Sequence, residues 1–212
     1  FLGQRSRISN RAASDSFADL FTVSADGCLI QGIEVFQGAG ATTLSAAQSA
    51  VKVTGQRNHF VNCQFSGMGD LAGTLDFAGS NSLTVTGSEN TFDDCYIGLD
   101  TVVLGANANS QILCASQATR NILRRCQIAT YTNHATNNNF LRAPTGSLDR
   151  WLMFDDCLFI NPIDAASTNL TQAMIVASDA GGSVLLAGPR TGFVGATDWN
   201  STDSGNVRAI NG

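Results

Sequence analysis

The sequence predicts an all-β chain wound as a right-handed parallel β-helix. Three observations predict it. A short pattern recurs about every 31 residues, and the recurring pieces are strand-length apolar runs bounded by Gly-rich turns. No segment sustains a 3.6-residue period over three turns, as a helical repeat would. With 21 Gly and 3 Pro in 212 residues, the composition suits many short strands joined by tight turns.

The first element is the Cys-centred unit. "GQRNHFVNCQFSG" begins at Gly55 and "GSENTFDDCYIG" at Gly87, and both contain N-x-F-x-x-C-x-[FI]. Cys63, Cys95, Cys126 and Cys157 continue the series at spacings of 32, 31 and 31, and Ile33 fits 30 residues before Cys63. Three positions upstream stand Ile30, Phe60, Phe92, Leu123 and Phe154. Two positions downstream stand Val35, Phe65, Ile97, Ile128 and Phe159. Five positions upstream stand Asn58, Asn90 and Asn121, with Leu152 ending the run. Apolar residues at −3 and 0 break strict alternation. The chain therefore turns a corner at −2 and −1, where two residues face out.

The second element lies ten to twelve residues earlier: "AVKVTG", "SLTVTG" and "QILCAS", with Val53, Val85 and Cys114 in one column. "AMIVAS" followed by "SVLLAG" is a final, more degenerate unit. Stacked at ~4.8 Å per coil, about five to six coils make a rod of roughly 25–30 Å. The rod is expected to span 17–205, with an N-terminal arm 1–16 carrying Arg5, Arg7 and Arg11 and a C-terminal tail 206–212. "FADLFTV" from Phe17 is the expected first strand or end cap. The stretch 131–149, with its run of Asn and Pro-Thr-Gly, is expected to be a loop extending from the coil.

The conspicuous side chains follow the repeat. The column of Ile33, Cys63, Cys95, Cys126 and Cys157 is a stack of small core fillers; no C-x-x-C occurs and the spacing is that of the fold. Asn58, Asn90 and Asn121 form a structural amide stack, bonding at corners and along the rod. At −2 and −1 the coils read Asp93-Asp94, Arg124-Arg125, Asp155-Asp156. Alternating layers predict a corner salt-bridge stack that holds the carboxyls low, whereas a general acid needs a raised pKa. His59 and His134 sit in no metal-binding spacing, and no catalytic set, metal or cofactor motif is present, so no enzyme is expected. The two glycosylation sequons, at Asn169 and Asn200, read as chance matches.

Charged residues are 14%, against roughly 25% in average domains. Eleven are Arg and one is Lys52, and the net charge is −5. That balance implies no general affinity for nucleic acid or an anionic membrane. No apolar run reaches the ~18 residues of a membrane span. "FLGQRSRISNR" contains no apolar core of a signal peptide.

The unit "RNHFVNCQFSGMG…SLTVTGSENTFDDCYIGLDT…ATRNILRRCQI…SLDRWLMFDDCLFIN…ATDWNSTDSG" resembles a family of tailed-bacteriophage structural proteins. These are tailspike-like β-helix proteins that decorate capsids, and the resemblance covers roughly residues 25–205. It implies a virion protein on the capsid exterior, assembled in the host cytoplasm. Its partners would be the major capsid protein and other shell subunits, and it would form a homo-oligomer, dimer or trimer. The arm residues Arg5, Arg7 and Arg11 are then expected partner contacts. The alternative expectation is a tailspike-like β-helix that binds or cleaves polysaccharide, with Tyr96, Trp151 or Trp199 stacking on sugar rings.

Overall fold

The computed structural model describes residues 6–10, 18–38, 46–68, 77–105, 107–200 and 206–210. Among the described residues, twenty strands follow one another in a three-strand cycle. Strand β1 (Ser6–Asn10) precedes the first full turn of β2 (Asp19–Val23), β3 (Leu29–Gln31) and β4 (Ile33–Gln37). The next turns are β5 (Ser49–Val53), β6 (His59–Val61), β7 (Gln64–Ser66), then β8 (Asn81–Val85), β9 (Thr91–Asp93), β10 (Tyr96–Gly98). They continue with β11 (Ser110–Cys114), β12 (Asn121–Arg124), β13 (Gln127–Ala129), then β14 (Asn139–Ala143), β15 (Arg150–Asp155), β16 (Leu158–Ile160). The last are β17 (Met174–Val176), β18 (Gly182–Ala187), β19 (Gly192–Val194) and a closing β20 (Val207–Ala209).

Each strand pairs in parallel with its counterpart one turn away. This makes three sheets: A (β1-β4-β7-β10-β13-β16-β19), B (β2-β5-β8-β11-β14-β17) and C (β3-β6-β9-β12-β15-β18-β20). The chain is therefore a parallel β-solenoid of about five turns. The register joins the residues that the repeat aligned. Ile30, Phe60, Phe92, Leu123 and Phe154 are consecutive partners in sheet C. Val35, Phe65, Ile97, Ile128 and Phe159 are consecutive partners in sheet A. In sheet B, Val23, Val53, Val85 and Cys114 are likewise in register. These columns make the core: Phe60 and Phe92 stack with ring centroids 4.7 Å apart, and Phe65 meets both edge-on.

The corners differ in length, for reasons visible in the backbone. The C-to-A corner has one to four residues, B-to-C five or six, and A-to-B eight to fourteen. At the C-to-A corner one residue per turn has positive φ: Gly32, Asn62, Asp94, Arg125, Asp156 and Gly188, from 51° to 79°. That left-handed residue lets the chain bend while −3 and 0 both face the core. At two of its turns the B-to-C corner needs glycine. A Cβ on Gly55 would lie 2.0 Å from the Ala25 carbonyl oxygen, and one on Gly87 1.9 Å from that of Gly55. Here the coils stack backbone on backbone.

The structure corrects three expectations. Residues 6–10 are not a detached arm: β1 extends sheet A along β4, where Ile8 pairs with Val35. An edge strand with little apolar content still satisfies the free backbone groups of β4, so its polarity hid it. The tail is corrected likewise, since β20 continues sheet C on β18. Within 131–149, residues Asn139–Ala143 are β14, a rung of sheet B. Phe140 and Leu141 are both fully buried, as are Ala50 and Val51 a few rungs below. Two successive buried residues erase the alternation that marks a strand.

All six cysteines are free. Each thiol of the column donates to the carbonyl of the −3 residue one turn back: Cys63 to Ile30, Cys95 to Phe60, Cys126 to Phe92 and Cys157 to Leu123, at 3.3–3.6 Å. Burial pushes the Cys114 thiol up to about 12 and that of Cys126 well above its ordinary value. Only Cys28 is not buried. Thiol alkylation of the native protein, followed by mass spectrometry, is expected to add one adduct at Cys28 and to reach all six only on unfolding.

Candidate functional site

The outward faces carry different chemistry. Sheet C and the corners beside it carry ladders. The first is amide. Asn121 Oδ1 accepts from the backbone N–H of Asn90 at 2.9 Å, Asn90 Oδ1 from that of Asn58 at 2.9 Å, and Asn58 Oδ1 from that of Cys28 at 2.8 Å. The amide nitrogens donate one turn back, from Asn121 to the Gly87 carbonyl, Asn90 to Gly55 and Asn58 to Ala25, at 2.9–3.0 Å. All three Asn are buried. Their own φ is ordinary. The left-handed residue is the one before each of them: Gly27 before Cys28, then Arg57, Glu89 and Arg120. The capacity of Asn for positive φ is therefore not why Asn stands here; its two-sided amide is. At Leu152 the ladder ends, because Leu152 occupies the next rung above Asn121.

The second ladder is ionic and sits beside the first. Glu89 pairs with Arg57 on one side at 2.7 Å and with Arg120 on the other. Those two guanidiniums hold its carboxyl below the usual range. The repeat of Asn masked this ladder in the sequence, although Arg57, Glu89 and Arg120 each precede a ladder Asn by one residue.

The third ladder occupies the −2 and −1 corner. Arg124 grips Asp93 with Nε–Oδ1 at 2.8 Å and a terminal nitrogen to Oδ2 at 3.1 Å. Arg125 grips Asp94 at 2.9 Å through both nitrogens. Asp93 also receives His59 at 2.7 Å from the turn before. Burial alone would raise the Asp93 carboxyl, but Arg124 and then His59 outweigh it and hold it low. The expected alternation is corrected in one respect: among the described residues, neither Asp155 nor Asp156 pairs with Arg124 or Arg125. The aspartates at this corner reach toward the following turn, so Asp93 and Asp94 meet guanidiniums there. Asp155 and Asp156 meet Gly188, which has no side chain, and Asp156 Oδ1 accepts the backbone N–H of Arg190 at 3.2 Å.

The A-to-B corner, where the long loops leave, is pinned by a buried polar network that the repeat did not announce. Gln37 donates to Gln48 at 2.8 Å, Ser82 to Gln111 at 2.8 Å, Gln111 to Thr130 at 3.0 Å, and Asn138 to Thr132 at 2.7 Å. Beside it, Tyr131 donates to Asp164 at 2.7 Å, which lowers the Asp164 carboxyl. On the outside of sheet B a groove of about 260 Å³ is lined by Asp19, Ser49, Lys52, Asn81, Thr84 and Leu113. Its polar groups bond to one another, with Lys52 to Asp19 at 3.0 Å and Ser49 to Thr84 at 2.9 Å. One rung beyond Leu113 lies Arg142, half-buried, and burial lowers its pKa.

Of the expected arm contacts, Arg7 pairs with Glu34 at 3.3 Å and lies over the Phe36 ring at 4.4 Å, bonding β1 to its own rod. Arg5 and Arg11 lie outside the described residues. Of the proposed sugar-stacking aromatics, Trp199 is committed elsewhere: it meets Phe193 and Phe159 edge-on and caps the core. Among the described residues, no group of three or more His, Cys, Asp or Glu is placed to hold a metal ion, and no helix is long and apolar enough to cross a membrane.

Two outcomes test the ladders. Asn90→Ala strands the Asn58 N–H and the Gly55 carbonyl in the interior and is expected to cost about 2–5 kcal/mol in urea unfolding. Asp93 has a lowered pKa, so its contribution is present above the unfolded carboxyl pKa and lost as pH falls through the folded one. The wild type is expected to shed stability between about pH 4 and pH 2, and Arg124→Ala, measured by thermal melting, to shed less over that window.

Comparison of the chain with protein-family models, with curated proteins and with solved structures returns no match.

Proposed function

We propose that this chain is a non-enzymatic structural protein of a tailed-bacteriophage virion that decorates the capsid exterior and stabilises the shell. The observation that carries the reading is the use to which its strongest polar groups are put. The Asn58–Asn90–Asn121 ladder, the Arg57–Glu89–Arg120 ladder and the Arg124–Asp93 and Arg125–Asp94 pairs all bond one turn of the rod to the next. Among the described residues, every carboxyl whose titration is shifted is shifted down: Glu89, Asp93 and Asp164. Such groups are poor proton donors at neutral pH and good braces. A stiff rod with loops of eight to fourteen residues along one corner can bridge neighbouring capsomers. Its partners on this reading are the major capsid protein and other shell subunits. Binding would rest on buried area and a few anchoring side chains.

A second reading, a tailspike-like protein that binds or cleaves polysaccharide, draws on the polar groove of sheet B. Its groups are mutually satisfied, which favours the first reading.

The test is co-sedimentation of the purified protein with shells that lack it, alongside shell melting. Saturable binding with a raised disruption temperature is the expected result. A folded protein that leaves shell melting unchanged and binds an arrayed glycan instead would replace this reading with the second.

A further inference from the structure

We propose that Asn139 and Arg142, on the outer face of sheet B, capture the C-terminal carboxylate of an extended polypeptide. The two residues lie one rung beyond the sheet B groove, Asn139 beside Ser110 and Arg142 beside Leu113. Up to that rung the polar groups bond to one another: Lys52 to Asp19, Ser49 to Thr84, and Ser110 to Asn81 at 3.0 Å. At Asn139 the pairing stops. Asn139 is fully buried, and neither its Nδ2 nor its Oδ1 has a hydrogen-bond partner. Arg142 Nε is buried and unpaired as well. One terminal nitrogen of Arg142 reaches back past Asn139 to the Asn137 carbonyl, at 3.5 Å. Arg57, Arg124 and Arg125 each grip a carboxylate on a neighbouring turn. Among the described residues no carboxylate does the same for Arg142, and nothing offsets the burial that lowers its pKa.

The unmet groups specify a ligand. Arg142 Nε and Asn139 Nδ2 are donors, and Asn139 Oδ1 is an acceptor. A carboxylate takes both donors, and Nε with its adjacent terminal nitrogen makes the fork that fits a planar carboxylate. The acceptor calls for an N–H close to that carboxylate. The last residue of a polypeptide carries both groups on one α-carbon, and capture of a chain terminus is a recurring mode of peptide recognition. Leu113 and Ile175 flank Arg142 on the rungs to either side. These apolar neighbours favour a singly charged carboxylate over a phosphate dianion, whose second charge would be desolvated without a partner. They also favour an aliphatic final side chain. The groove of about 260 Å³ that reaches Leu113 offers a bed for the residues before it. The contact that holds the guanidinium against Asn137 is longer than a normal hydrogen bond, so Arg142 can turn outward to admit the terminus.

N-acetyl-leucine carries the amide N–H, the carboxylate and the aliphatic side chain, and proton–nitrogen correlation NMR reads its binding. Titration is expected to shift the Asn139 amide and Arg142 Nε–H signals saturably, with a millimolar Kd because few contacts form. Isovalerate, which lacks the N–H, is expected to bind about tenfold more weakly. N-acetyl-leucinamide and sulfate are expected to leave both signals in place. Arg142→Gln and Arg142→Lys, the second keeping the charge but losing the fork, are expected to abolish the response at Asn139 with unchanged circular dichroism. Signals unmoved by N-acetyl-leucine, or moved as far by its amide or by sulfate, would overturn the proposal. So would a response that survives in both variants. Isovalerate binding as tightly as N-acetyl-leucine would replace the chain terminus with a free carboxylic acid. No shell enters these readouts, so they stand or fall apart from the capsid reading.

Discussion

Parallel strands stacked in register at ~4.8 Å force every side chain to meet its counterpart one turn away. The rest of the structure depends on that constraint. A column must hold residues that accept their own neighbours, and each column shown here solves the problem differently. Phe60 lies flat on Phe92. The cysteines are small enough to stack and turn their thiols onto carbonyls of the previous turn. Asn works because its amide donates on one side and accepts on the other, so the same residue can repeat without leaving a buried group unpaired. Charge cannot repeat in this way, and so it alternates: Arg57, Glu89, Arg120 in one column, Asp93 then Arg124 in another.

The same constraint sorts the corners. Where coils touch backbone to backbone, side chains are excluded, as at Gly55 and Gly87. Where the left-handed bend between sheets C and A recurs, the residue changes from Gly to Asn, Asp or Arg. A non-glycine residue there costs of the order of 1 kcal/mol of strain, and at Asp94 and Arg125 a bidentate ion pair across the turn accompanies it. The A-to-B corner varies most in length, and buried Gln, Ser, Thr and Asn side chains bond at the bases of several of its loops. That arrangement places regularity in the rod and variety on one edge.

The ends obey a different rule. A solenoid has two open edges, and each exposes unpaired backbone groups. β1 covers one edge of sheet A through main-chain pairing, and β20 extends sheet C at the other end. Trp199 covers the core near that second end by packing edge-on against Phe159 and Phe193. None of these elements belongs to the repeat, so no column announces them.

What the sequence determined by itself is what period can carry. The Cys-centred units, the inward columns at −3, 0 and +2, the Asn run and the outward corner at −2 and −1 are all statements about residues 31 apart, and in this fold such residues are neighbours. What only the tertiary structure decided lies off the period or depends on direction. The burial of both Phe140 and Leu141 disguised β14 as loop. β1 and β20 joined the rod through backbone pairing that composition does not encode. In the following turn Asp93 and Asp94 met guanidiniums, while Asp155 and Asp156 met a glycine. Spacing says which residues meet; the geometry of the coil decides which way each side chain reaches.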